Sequence, residues 1–255
     1  MRTSLLKVTS ALALAVTPFI ASQAHAQGGY VGVSAGYGWS KSDVNTSTVF
    51  SSTGYFATTS VPAINTAGAQ HVKPRSFVGG IDAGYDFNSG NVVFGVAADL
   101  SWMHDKKTAS TTVIYPCCSP TAFTVTQSVS TKWLATARAR VGYDVGGAVI
   151  YATGGWAGVK ARYSALFTDT FATALESGST TKFRSGWVLG GGADIKVSPN
   201  WTVQPEFLHA DFGHFNAPAG TLTAFTPAIS FPTNVFTHRA SLKTNIVRIG
   251  VHYHF

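Results

Sequence analysis

WLATARARVGYDV, residues Trp133 to Val145, places Trp, Ala, Ala, Ala, Val, Tyr and Val at its odd positions and Leu, Thr, Arg, Arg, Gly and Asp at its even ones. Side chains of a strand point alternately to its two faces, so this is a strand with one apolar face, aromatic at both ends, and one polar face carrying charge. The same period returns on either side. Phe77, Ile81, Ala83, Tyr85 and Phe87 alternate with Asp82, Gly84 and Asp86, while Val92, Phe94, Val96, Ala98, Leu100 and Trp102 alternate with Gly95, Asp99 and Ser101. Val247, Ile249, Val251, Tyr253 and Phe255 likewise oppose Arg248, Gly250, His252 and His254.

Eight such segments span the chain, roughly 29–40, 73–87, 91–103, 131–145, 148–163, 182–197, 201–215 and 241–255. Asn88-Ser89-Gly90, Gly146-Gly147 and Ser198-Pro199-Asn200 are tight turns made of turn-favouring residues. The other connections, around 41–72, 104–130, 164–181 and 216–240, are long and rich in Ser, Thr, Ala and Pro. Short and long connections on opposite ends predict an all-β fold: a closed, eight-stranded, antiparallel up-and-down transmembrane barrel with short periplasmic turns and four long extracellular loops.

Composition supports a wall facing lipid. Of the 255 residues 45% are hydrophobic and only 11% charged, with 17 Phe, 9 Tyr and 6 Trp; a soluble domain carries about 25% charged residues. A soluble barrel would turn Lys, Glu and Thr outward, whereas here the polar face is mostly Gly, Ser and Ala with isolated charges, which suits a narrow lumen. Tyr37, Trp39, Tyr85, Phe87, Trp102, Trp133, Tyr143, Tyr163, Trp187 and Trp201 are read onto the apolar face as interfacial girdles. Beyond Leu208 the phase is unclear, because His209 and Asp211 fall on the outward face; a projection above the bilayer or a bulge accounts for it.

Arg2 and Lys7, the apolar run 8–21 and Ala24-His25-Ala26 form a cleavable secretory signal over residues 1–26, leaving the barrel as residues 27–255. Removing those 26 residues, two of them basic, leaves 229 residues and a net charge of +5. The basic residues are scattered, so nucleic acid is not a partner. No later apolar run is long enough for a spanning helix.

Gly29-Tyr30-Val31-Gly32 with Ala35-Gly36-Tyr37-Gly38-Trp39, the Trp133–Tyr143 block followed by Tyr151-Ala152-Thr153-Gly154-Gly155, and Gly186-Trp187-Val188-Leu189-Gly190-Gly191-Gly192-Ala193 with Asn200-Trp201 through Glu206-Phe207-Leu208 carry a family likeness. The chain resembles the small outer-membrane immunogenic, porin-like proteins of Gram-negative bacteria, of the OmpA-type eight-stranded barrel class. That resemblance implies an outer-membrane location, a structural or surface role and, in some members, haem binding or contact with host surfaces. The end of the last strand, with Tyr253 and Phe255, is similar to the terminal-aromatic signal read by the barrel-assembly machinery.

On the inner face Asp82, Asp86, Asp99, Asp144, Asp194 and Glu206 are expected to meet Lys132, Arg138, Arg140, Lys160, Arg162, Arg184, Lys196 and Arg248 in a lumen ion-pair network. Such a network is either a polar plug or the lining of a narrow, gated pore. Cys117-Cys118 lies in an oxidising location, so a vicinal disulfide is expected first, ahead of intermolecular pairing or free thiols. His252 and His254 read as lumen fillers, while His71, His104, His209, His214 and His238 sit in or near the outer loops, where they could ligate haem iron. Ser101 and Ser185 lie near acids but without a G-x-S-x-G motif, and Gly190-Gly191-Gly192 opens no helix, so no catalytic, cofactor or metal site is assigned. The expected function is a monomeric envelope barrel with structural and surface-interaction roles, partnered by outer-membrane lipids, lipopolysaccharide, the assembly machinery and host or environmental surface ligands. The alternative is a loop-based receptor for a ligand such as haem.

Overall fold

The computed structural model describes residues 26–255; the leader read from residues 1–26 lies, but for Ala26, outside them. The strands are β1 (Ala26–Thr48), β2 (Ala69–Val72), β3 (Arg75–Ser89), β4 (Val92–Ile114), β5 (Ala122–Asp144), β6 (Ala148–Asp169), β7 (Leu175–Lys196), β8 (Trp201–Ala217), β9 (Leu222–Ala224), β10 (Ile229–Phe231) and β11 (Phe236–His254), with helix α1 (Ser60–Gly68) between β1 and β2. Strands β3 to β8 each pair with the next, β8 pairs with β11, and β11 returns to β1, which pairs with β3. Every pairing is antiparallel, and the ring of eight long strands is closed. Gly90, Gly146 and Gly147 take positive φ in two of the tight turns, at the same end as the start of β1 and the end of β11.

A spanning strand needs about 9–11 residues, yet β4 and β5 have 23 each and β6 has 22. The hairpins therefore rise beyond the bilayer as a continuing wall, and most of the connections expected as loops are strand. The aromatic rings show where lipid ends. Trp39, Trp102, Trp156 and Trp187 project outward at the upper level, and Tyr85, Phe87, Tyr143, Trp201 and Tyr253 at the lower. Between them the outward residues are Val33, Ile81, Val96, Leu189, Ile249 and their like, which meet lipid in place of a protein core.

Above the upper ring the polarity of the alternation inverts, because the medium outside changes from lipid to water. On β6 the odd positions stay inward throughout: Tyr151 and Thr153 below, Val159, Ala161 and Tyr163 above. The even positions change from Ile150 and Trp156 to Lys160 and Arg162, which are exposed. Lys160 and Arg162 thus lie outside rather than in the lumen, and Tyr163, expected to face lipid, is 0% exposed inside.

On β5 a bulge between Thr131 and Leu134 shifts the phase itself. Leu134, Thr136, Arg138 and Arg140 are buried below it, and Phe123, Val125, Gln127, Val129 and Thr131 above it, leaving Lys132 outside. On β8 Gly213 takes φ +64° beside a register shift against β11 between Ser241 and Lys243. Asp211 and His209 stay outward, where Lys243 and Asn245 meet them, and Phe215 and Ala217 then turn inward. Both explanations read for that segment, a rise above lipid and a bulge, apply.

Candidate functional site

The lumen is the one place to which all eight strands send polar side chains, and it is filled in layers. In the membrane-spanning half the lowest layer centres on Arg140. Its guanidinium pairs with Asp194, lies 3.5 Å from Asp86 Oδ1, donates to Tyr30 OH at 3.2 Å and stacks 4.1 Å from the Tyr151 ring centroid. Gln204 donates to the second oxygen of Asp194 at 2.7 Å. Gly95 leaves the room for this arrangement, since a Cβ there would collide with Asp86 Oδ1 and crowd Arg140. His252 stacks on Tyr30 at 4.9 Å and pairs with Asp82.

One layer up, two arginines grip two carboxylates. Arg138 donates to Glu206 Oε1 at 2.5 Å and Asp99 Oδ1 at 3.0 Å. Arg248 donates to Glu206 Oε2 at 2.8 Å and Asp99 Oδ1 at 3.1 Å. Thr136 and Ser101 donate to Asp99, and Tyr151 donates to Glu206. The four side chains are at most 3% exposed. Charge-assisted bonds on both sides of each guanidinium fix a planar polar disc across the bore.

Above the disc the interior is apolar. Val78, Met103, Leu134, Val188, Leu208, Leu242 and Ile246 belong to one buried cluster, beside it Ser40 and the Thr131 amide donate to the buried Asp105 carboxylate, and then comes a further polar layer. There Gln127 accepts from Thr46 and Tyr163 and donates to the Gly68 carbonyl at 2.7 Å, and His238, fully buried, sits 3.0 Å from Thr46 Oγ1 and 3.1 Å from Glu176 Oε1. Helix α1 closes the mouth. Its Ile64 and Ala67 pack with Phe56, Tyr115, Phe123, Phe167, Leu222 and Phe236. Asp169 ties the hairpin tips together by accepting from Tyr55 at 2.6 Å and Tyr115 at 3.0 Å; burial, then this carboxylate, holds both phenols above their ordinary range.

The structure brings together Asp82, Asp86, Asp99, Arg138, Arg140, Asp194, Glu206 and Arg248 and separates the rest of the expected network. Asp144 accepts from the Gly146 amide in a tight turn, and Lys196 is exposed at the lower rim. Arg184 reaches the His214 carbonyl at 2.6 Å and the Phe215 ring. Lys132, Lys160 and Arg162 are outside, as described. Sequence reading missed Tyr30, Tyr151, Gln127 and Glu176 as lumen polar groups; the signal for Glu176 is its even parity with Asp194 along a strand that continues through the expected loop. Cys117 and Cys118 form a disulfide beside Tyr115 at the tip. The five outer histidines are dispersed: His71 against Asp43, His209 against Asn245, His238 in the lumen, and His104 and His214 exposed on different strands.

Residues 10–255 match the model of the outer membrane protein β-barrel domain family. The chain is 31% identical over 231 residues to a 31 kDa outer-membrane immunogenic protein of Brucella melitensis, covering 89% of this chain and 83% of that one. It is 28% identical over 237 residues to a 25 kDa outer-membrane immunogenic protein of Brucella abortus, covering 92% and 82%. Among solved structures the outer membrane protease OmpT of Escherichia coli superposes with a TM-score of 0.49 at 10% identity, over 92% of this chain and 99% of that one.

Proposed function

The chain belongs to the outer membrane protein β-barrel family, and from that premise we propose that it is a plugged barrel that serves envelope integrity and surface contact, without enzymatic activity and without passing solutes. The observation that carries this reading is the filled bore: the disc of Arg138, Asp99, Glu206 and Arg248 below, and an apolar core capped by α1 above. A narrow pore would need a continuous polar path, and the buried apolar side chains directly above the disc interrupt it. The ring is closed through the membrane-spanning half, where every long strand pairs on both sides, which supports a monomer. Outward placement of Tyr253 and Phe255 at the lower rim supports their reading as the assembly signal.

Deleting the chain from its host should raise sensitivity to detergent and leakage of a periplasmic reporter several-fold, and the wild-type barrel should restore both. An unaltered barrier together with lost uptake of a solute would point to transport instead. For the receptor reading, titrating haem into the folded barrel should give no saturable Soret shift. A saturable shift abolished by His71→Ala or His104→Ala would establish a loop haem site.

A further inference from the structure

One basic patch on the outer wall has no counterion. Lys106 on β4, Lys132 on β5, and Lys160 and Arg162 on β6 are all exposed. Register groups them: Lys106 stands opposite Ser130, Ser130 opposite Arg162, and Lys160 shares the outward face of β6 with Arg162. Adjacent strands lie about 4.8 Å apart, so the four cations share a strip roughly 10 Å wide. A groove of about 470 Å³ runs through it, lined by Lys106, Ser130, Lys132 and Arg162 among others.

All eleven carboxylates of the chain are engaged elsewhere. Asp82, Asp86, Asp99, Asp194 and Glu206 are in the lower lumen. Asp105 and Glu176 are buried in the upper lumen, on Thr131 and His238. Asp43 and Asp211 pair with Lys41 and Lys243 on the β1, β8 and β11 side, Asp144 lies in a tight turn, and Asp169 at the tip. Like charges gathered without a partner repel one another, and an external anion relieves that repulsion.

Height decides which anion. Trp102, Trp133, Trp156 and Phe183 lie just beneath the patch, with the Phe183 ring 5.8 Å from Trp133 and 6.0 Å from Trp156, and tryptophans at a barrel rim mark the edge of the hydrocarbon. The cations follow within one to six residues, at the level of the headgroups. Being on the wall, they look sideways into the leaflet and not toward the medium above.

We propose that Lys106, Lys132, Lys160 and Arg162 seat the phosphorylated sugar headgroup of an outer-leaflet glycolipid, the phosphates lying in the groove and the acyl chains against the tryptophans below. The inference rests on the outer-membrane barrel reading and names the lipid partner of its wall.

The test measures binding of purified lipopolysaccharide to the full barrel in detergent, with the same glycolipid after phosphatase treatment as the second probe. K106Q/K132Q/K160Q/R162Q should weaken binding on the order of 100-fold, removal of the phosphates should do the same to the wild type, and R239Q/K243Q on β11, across the ring, should change little. Rising salt should weaken the wild-type complex, a readout that needs no variant. Unchanged binding by the fourfold variant, indifference to the phosphates, or tighter binding of a soluble sulfated polysaccharide than of the glycolipid would each overturn the proposal. Heat-modifiable gel migration, followed in every sample, reports the barrel itself: its retention separates failure of the patch from failure of the barrel reading.

Discussion

Replacing Arg248 by methionine should destabilise the folded barrel by about 3–5 kcal/mol, since it removes one partner from a buried charge pair and leaves the other in place. Arg248 is 2% exposed and is the second of only two guanidiniums on Asp99 and Glu206. Without it, Arg138 alone faces both carboxylates, whose side chains are at most 2% exposed, and one buried negative charge is uncompensated. Methionine fills much of the volume, so the loss is electrostatic more than a cavity effect. Urea-induced unfolding of the refolded barrel, read by the change in gel mobility or tryptophan emission, measures it. Adding Asp99→Asn should recover a large part, because it removes the orphaned charge. Lys160→Met, on the outer wall, should stay within about half a kcal/mol. Equal small effects at positions 248 and 160 would contradict the placement of the charges.

Ile249→Arg should cost about 2–4 kcal/mol, the depth-dependent penalty for a cation on the lipid face of a barrel. Ile249 is 58% exposed and stands midway between Asn245 above and Tyr253 below on β11. Its neighbour Arg248 is a charge that the same strand buries with partners. The pair therefore shows that one step along the chain reverses whether a charge is demanded or forbidden. Arg162→Ile should be nearly neutral for stability, as it lies above the aromatic ring. The unfolding measurement that serves Arg248 also serves here, in lipid vesicles and not detergent, so that the hydrocarbon is present. A neutral outcome for Ile249→Arg would mean that this face is not bathed in lipid.

The spanning half of this protein was legible from alternation because lipid outside and polar groups inside give the two faces opposite character. Asp99, Arg138, Glu206 and Arg248 could be placed that way without any structure. The upper half was not. Once the wall leaves the bilayer the apolar face must turn inward, so Ser128, Ser130 and Thr126, which look like loop residues, are the outward face of β5, while Val125, Val129 and Phe123 form its core. The inversion takes place without a break on β6, which is why alternation alone puts Lys160, Arg162 and Tyr163 on the wrong faces. On β5 a bulge adds a shift of phase that no count of twos can follow past Thr131. The closing helix α1 was also invisible, since its burial of Ile64 depends on aromatic rings from several distant hairpins.

Whether the bore is plugged is settled by single-channel recording of the purified barrel in a planar bilayer. With the Arg138–Asp99–Glu206–Arg248 disc and the α1 cap in place, the wild-type protein should give no steady open level at moderate voltage. A large, sustained conductance from every inserted barrel would contradict the plugged lumen and make the charged disc the lining of a pore.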